Sequence, residues 1–406
     1  MSTSVNSAAP SPLARRLVAL GDTLTCWKPY WSAHAFREPV LPWESLQPTL
    51  ARALRSRDVD EIRRLVDDPA AVDTFLADWF PVSDWRALCE VDQAVLRVLA
   101  PWPRGMPRDV PGRKWDQITA FVAALDPLDA TCVVDWCAGK AHLARALLAQ
   151  QYGKRVTALE RDPVLVEDAR ALAARDRLPL RAACVDVMSA EAPGFVDAGA
   201  ELVALHACGA LHRRLLDVAV SRGAAGIACA PCCFHLGPEG HRPRSHAGRF
   251  ADPGLCRADL RTAVQEVVTA GGHARRRRER LQVWQLGFDA LLRESLGVSG
   301  YTPAPAKGVT LAGDFHDFCE HAARFHGFSV PQGTDFPYWE QRGQARFREV
   351  SALDIVRQRF RRLIELWLVT DLGVSLEESG YAVVLNRFCS PEVSPRNLLL
   401  QARRGA

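Results

Sequence analysis

The sequence predicts an α/β chain: a mostly parallel sheet of seven strands, a helical region before it, and a helical insertion ahead of its last two strands. Three observations lead there. Short β-type runs alternate with helical stretches between Cys132 and Cys233, the rhythm stops at about Leu236, and two further strand-like runs close the chain. Strands joined by helical crossovers run parallel, with both faces of the sheet covered.

The 406 residues allow two or three domains and a sizeable core without disulfide or metal staples. Hydrophobic residues at 48% and charged residues at 24% exclude wholesale disorder, collagen-like repeats and a coiled-coil rod. No apolar run approaches the ~18 residues of a membrane-spanning helix, and Met1 to Pro12 lacks the basic and apolar regions of a secretory signal. A cytoplasmic protein with no membrane partner is expected. The 12 cysteines are scattered, with Cys232 and Cys233 adjacent, a placement that reads as reduced thiols. The net charge is only +4, and of the 51 basic residues only five are lysine. Arginine's planar fork suits phosphate, although an Ala- and Gly-rich composition also fits a bias of the source genome.

Taken in order, residues 1–112 read as an N-terminal helical region. Val59 to Val66, Ala70 to Trp79 and Trp85 to Leu99 carry apolar residues at helical spacing, punctuated by prolines. The Pro/Gly-rich stretch Pro101 to Gly112 marks a boundary, and Lys114 to Leu125 is helical. Residues 113–235 form the first part of the core, with strands at Val133 to Trp136, Arg155 to Glu160, Leu180 to Asp186, Glu201 to Cys208 and Gly226 to Cys232. Helices at Lys140 to Gln151, Pro163 to Arg175 and Ala210 to Arg222 connect most of them. Residues 236–351 are the helical insertion, with helices at Ala258 to Ala270, Arg275 to Leu296 and Asp314 to His326. Because it leaves the sheet directly after Cys233, it is expected over the strand ends as part of an acceptor pocket. Residues 352–406 return to the core with a long helix, Leu353 to Thr370, and strands six and seven at Tyr381 to Cys389 and Asn397 to Ala402.

The chemistry lies at the strand ends, where parallel α/β sheets bind ligands. Strand one ends in Asp135-Trp136-Cys137-Ala138-Gly139-Lys140-Ala141 and runs straight into a helix, so a cofactor can approach small residues and free amides. Glu160 ends strand two, 25 positions after Asp135, where a carboxylate accepts both hydroxyls of a ribose. Strand three ends in Asp186-Val187, an acid for an adenine amino group and an apolar side chain for its ring. Three acids at successive strand ends favour S-adenosylmethionine over a dinucleotide, whose pyrophosphate calls for Gly-x-Gly-x-x-Gly.

Strands four and five end in Leu205-His206-Ala207-Cys208-Gly209 and Pro231-Cys232-Cys233-Phe234-His235. His206 is the first candidate for a catalytic base, with His235 and Cys233 next. No metal is expected, because vicinal cysteines rarely chelate one ion and no C-x-x-C pair exists. The tract Arg275 to Arg278 is either a solvated helix face or a phosphate-binding patch, followed by a buried stripe of Trp284, Phe288, Leu291 and Leu292.

These motifs, with Phe388-Cys389-Ser390-Pro391 and Ser394-Pro395-Arg396-Asn397 in the tail, resemble a known group over roughly Arg113 to Arg403. It is the methyltransferase-domain family of the eukaryotic tRNA acceptor-stem 2′-O-methyltransferases, ribosomal-RNA-adenine-dimethylase-domain-like and glutathione S-transferase C-terminal-domain-containing proteins. The resemblance implies a Rossmann-like class I methyltransferase sheet and S-adenosylmethionine as cofactor. It also implies that Asp135, Cys137, Gly139, Glu160 and Asp186 line the cofactor site, with Lys114 near its mouth. Ala141 stands where the family usually has glycine, and the N-terminal cysteine-histidine zinc finger of the tRNA enzymes is not seen. The expected function is methyl transfer from S-adenosylmethionine, with RNA (tRNA or rRNA) as acceptor and partner. A protein or small-molecule acceptor and a noncatalytic RNA- or protein-binding module are the competing readings. The oligomeric state is not read from the sequence.

Overall fold

The computed structural model describes residues 9–126, 132–237, 241–264, 272–303 and 313–405. Its seven strands are β1 Cys132–Trp136, β2 Arg155–Glu160, β3 Leu180–Cys184, β4 Ala200–Cys208, β5 Gly226–Cys232, β6 Tyr381–Arg387 and β7 Leu398–Arg404. They form one sheet in the order β3-β2-β1-β4-β5-β7-β6. β1 to β5 pair in parallel, and β7 lies antiparallel between β5 and β6. This is the Rossmann-like class I arrangement expected. The order reverses between β1 and β4, which opens a crevice at the C-terminal ends of the strands.

The central strands are apolar because both faces are covered. Val133, Val134, Leu202, Val203, Ile227 and Ala228 are fully buried, under helices that include Gly112–Ala124, His142–Ala149, Pro163–Arg175 and Ala210–Arg222. Phe121, Leu147, Phe388 and Leu399 belong to one continuous core with Val133 and Val203.

The chain divides into two compact units. One comprises Met1–Cys26, Arg86–Gln265 and Arg362–Ala406, and the other Trp27–Trp85 and Glu266–Arg361. The expected region 1–112 and the insertion 236–351 are therefore each shared between the units. The second unit has its own apolar cluster, in which Trp284, Phe288, Leu291 and Leu292 form the anticipated stripe against Phe315 and Phe318. On the same helix, Gly272–Leu296, Arg276, Arg277 and Arg278 are exposed and Arg275 sits 3.6 Å from Asp67.

Two expected helices are corrected. The one predicted over Trp85 to Leu99 ends at Cys89. Beyond it the chain runs along the outer edge of β6: Arg387 N donates to Asp92 O, and Ala94 N to Arg387 O, both at 2.8 Å. Pairing with an open sheet edge outweighs the helical spacing of Val91, Val95 and Val98, and leaves the last two more than nine-tenths exposed. The long helix predicted over Leu353 to Thr370 is two, Phe336–Arg359 and Arg361–Glu377, separated at Phe360. The phenyl ring of Phe360 is fully buried, 4.6 Å from the Trp85 ring, so apolar periodicity continues across the break and hides it. The predicted helix Ala258 to Ala270 is observed as Arg257–Thr262, and its last residues lie outside the described ones.

Among the described residues, no helix is long and apolar enough to cross a membrane.

Candidate active site

After β1 the backbone takes the left-handed conformation three times, at Cys137 (φ 60°), Gly139 (φ 57°) and Ala141 (φ 55°). This coils the turn tightly enough to start the helix His142–Ala149 directly above the strand end. Left-handed backbone costs a non-glycine residue about 1–2 kcal/mol, and such strain concentrates at functional sites. The Ala141 methyl is fully buried in the core of the sheet unit, so it fills the protein side of the turn. Gly139 faces the other way: a Cβ there would meet nothing within 4 Å.

Asp135 holds this turn from below. It is 2% exposed, and its Oδ2 accepts from Ala144 N at 3.1 Å. Burial pushes its pKa up to about 7, against the opposing pull of that hydrogen bond and of the Lys114 charge. Lys114 is exposed in the first turn of the helix Gly112–Ala124. Burial, reinforced by Glu160 and Asp135, pushes the Cys137 thiol up to about 12.

Glu160 ends β2 and reaches back to the turn, where its Oε2 accepts from Gly139 N at 2.9 Å. Its Oε1 accepts from Arg161 N and Asp162 N at 2.8 and 3.0 Å. A carboxylate has about four lone-pair positions, so one remains on Oε2. Asp186, just past β3, is exposed and its Oδ1 accepts from Met188 N at 2.9 Å. Val187 is buried at 4%, while Met188 beside it is 48% exposed and is the larger apolar surface at this strand end. The acids thus stand at adjacent strand ends, about 5 and 10 Å across the sheet from β1. An open glycine cradle, a carboxylate with a spare acceptor position and an exposed second acid together fit the amino-acid and nucleoside parts of S-adenosylmethionine.

On the other side of the crevice, β4 is bulged between Leu205 and Cys208, and His206 is left-handed at φ 74°. Its Nε2 lies 2.7 Å from Gln117 Oε1. Gln117 Nε2 donates to Val393 O at 3.0 Å, which orients the amide with its oxygen toward the imidazole. His206 Nε2 therefore carries the proton, and Nδ1 is the ring's acceptor. Burial lowers the His206 pKa, with Arg396 and Lys114 adding to the effect.

Cys233 is also left-handed, at φ 49°. Side chains alternate faces along an extended strand, which would send vicinal thiols apart. The turn at Cys233 instead brings its sulfur, Cys232's and Cys208's within 4.8 Å of one another. Hydrogen bonds from Cys208 and Cys232 hold the Cys233 thiol well below the ordinary range. The objection to a metal drawn from adjacent cysteines does not apply to this geometry. His235 Nδ1 is buried with no hydrogen-bond partner among the described residues, and the His235 carbonyl accepts from Arg257 Nε at 3.2 Å. The helix Arg257–Thr262 is thus the part of the expected insertion seen at the end of β5. Burial lowers the His235 pKa, and Arg261, Arg257 and Arg396 lower it further.

Of the six non-glycine residues with positive φ among the described residues, four are Cys137, Ala141, His206 and Cys233. Sequence reasoning missed Gln117 and Arg396 as participants. Arg396 was visible only as part of a tail motif, and Gln117 only as lying one helical turn beyond Lys114.

Residues 113–237 match the family described as a methyltransferase domain. No curated protein matches the chain. Several solved structures resemble part of it. M. jannaschii TYW2 in complex with AdoMet has 15% identity and a TM-score of 0.25 over 30% of this chain and 52% of that one. The 23S rRNA methyltransferase ErmE has 19% identity and a TM-score of 0.23 over 29% and 45%. The Pyrococcus abyssi tRNA (uracil-54, C5)-methyltransferase in complex with S-adenosyl-L-homocysteine has 16% identity and a TM-score of 0.24 over 33% and 30%. The chain thus spans about half or less of the length of these structures. Residues 113–237, which carry the first five strands of the sheet, thus match a methyltransferase domain.

Proposed function

We propose that the methyl acceptor is RNA, held with a ribose hydroxyl near His206. The observation that carries this reading is the cationic setting of the acceptor side. Lys114 and Arg396 act electrostatically on His206, and Arg257, Arg261 and Arg396 on His235. Clustered positive charge around a crevice attracts a polyanion. The exposed Arg276, Arg277 and Arg278 on the second unit support the same reading. The resemblance to tRNA acceptor-stem 2′-O-methyltransferases gives its finer form, a hydroxyl of tRNA. The 12 cysteines, all free, suit a reducing compartment such as the cytoplasm.

S-adenosylmethionine, when bound, supplies an electrophilic methyl group. In this reading Glu160 takes the ribose hydroxyls of the cofactor and Asp186 its adenine amino group, with Val187 and Met188 at the ring. Asp135, Cys137 and Gly139 shape the methionine end, with Lys114 at the mouth. His206 Nδ1 accepts the proton of the incoming hydroxyl. The deciding experiment incubates the full chain with labelled methyl donor and total RNA or protein extract from its source. Label is expected in RNA, at a ribose oxygen. Label only in protein identifies a protein methyltransferase, and label in neither favours a small-molecule acceptor or a noncatalytic module.

Cofactor binding is testable separately. Glu160→Ala is expected to weaken S-adenosylhomocysteine by about 10- to 150-fold in calorimetry, the equivalent of one or two charge-assisted hydrogen bonds. Glu160→Gln keeps the oxygen and is expected to lose less. Unchanged affinity in a folded Glu160→Ala protein removes the ribose assignment.

A further inference from the structure

We propose that Cys208, Cys232 and Cys233 bind one zinc ion through their three sulfurs. Cys208 pairs with Cys232 across β4 and β5 beyond the bulge, and their sulfurs lie 3.3 Å apart. Cys233 adds the third sulfur only because its backbone is left-handed, and all three then lie within 4.8 Å of one another. Zinc–sulfur bonds of about 2.3 Å in a tetrahedron place sulfurs about 3.8 Å apart. The cluster reaches that spacing with small side-chain adjustments.

The chemistry of the donors selects the ion. Thiolates favour soft or borderline-soft metals over magnesium or calcium, and zinc accepts thiolate and imidazole together without redox change. Binding deprotonates the thiols and releases their protons to solvent. Among the described residues no fourth side-chain donor joins the three sulfurs within 4.8 Å, which leaves the fourth position of the tetrahedron to an exogenous ligand such as water. Two left-handed non-glycine residues, His206 and Cys233, flank this cluster in sequence or belong to it. Their strain of about 1–3 kcal/mol each has an evident return if metal bonds hold the arrangement. A site here would tie the ends of β4 and β5 together beside His206, whatever the methyl acceptor is.

The test uses the full chain, reduced and freed of metal, titrated with Co²⁺ as a spectroscopic probe and then with Zn²⁺. One Co²⁺ per chain is expected, with intense sulfur-to-cobalt charge transfer and a tetrahedral ligand-field spectrum, both abolished by one equivalent of Zn²⁺. Cys208→Ser and Cys233→Ser are each expected to weaken zinc by at least about 100-fold, more than a change in an outer-shell partner does. The exposed Cys184→Ser is expected to keep full binding, and thermal melting verifies that each variant is folded. Absence of charge transfer, an unchanged spectrum in folded Cys233→Ser, or a Cys208–Cys232 disulfide in place of metal uptake would overturn the site. Calorimetry with S-adenosylhomocysteine on the same protein reports the cofactor reading independently.

Discussion

Gly209→Ala is expected to destabilise the sheet unit by at least about 3–4 kcal/mol, a large part of the 5–15 kcal/mol typical of a native protein. Gly209 has φ 58° and ψ −120°, a region open essentially to glycine alone. An added Cβ would lie 1.7 Å from Leu236 O and 2.4 Å from Leu236 C, both backbone atoms. No side chain can yield to relieve that overlap. Moving the backbone would break the bonds that join the two strand ends: Gly209 N donates to Cys232 O at 3.0 Å and Ala210 N to Leu236 O at 2.9 Å. The variant should therefore lose soluble yield or unfold at markedly lower denaturant. Gly139→Ala is the contrast, with positive φ but open space around the new methyl. It should cost only about 1–2 kcal/mol while weakening S-adenosylhomocysteine. A Gly209→Ala protein within about 1 kcal/mol of wild type would show that the strand ends do not approach so closely.

This contrast marks how far the sequence can be read. The positions of β1, β2, β4 and β5 were legible because these strands are largely buried on both faces, which requires near-continuous apolar runs bounded by polar turns. Observed β2 and β5 start and end where the pattern does, and the acids at Asp135, Glu160 and Asp186 follow from where the strands stop. Conformation inside the turns was not legible. Nothing in the residue types of Cys137, Ala141, His206 or Cys233 announces positive φ, since each is disfavoured there and adopts it only under tertiary constraint. At Ala141, where the resembling family usually has glycine, the residue type alone does not say which way the methyl points; it is buried in the core. Gathering of the three thiols was hidden for the same reason, because alternation along a strand is the correct rule until a left-handed residue ends it. The partner of His206 was hidden by distance along the chain: Gln117 is 89 residues away and Val393, which orients it, 276 residues from Gln117.

That pair of contacts leads to the largest expected effect on catalysis. His206→Ala should lower kcat by about 10²- to 10⁴-fold, the usual contribution of a positioned general base, while S-adenosylhomocysteine affinity stays within about twofold. The ring is prepared for this role by geometry: Nε2 donates to Gln117 Oε1 at 2.7 Å, so Nδ1 presents its lone pair. Gln117→Leu, which removes the oxygen that fixes the tautomer, should lower kcat by about tenfold, the equivalent of one hydrogen bond. Because Gln117 acts through His206, KM for the methyl donor should hold and the double variant should be no slower than His206→Ala alone. Additive losses in the double variant would make Gln117 a structural residue. Full activity in a folded His206→Ala protein would move the base to His235 or Cys233. His235→Ala or Cys233→Ala should then show the large loss in kcat.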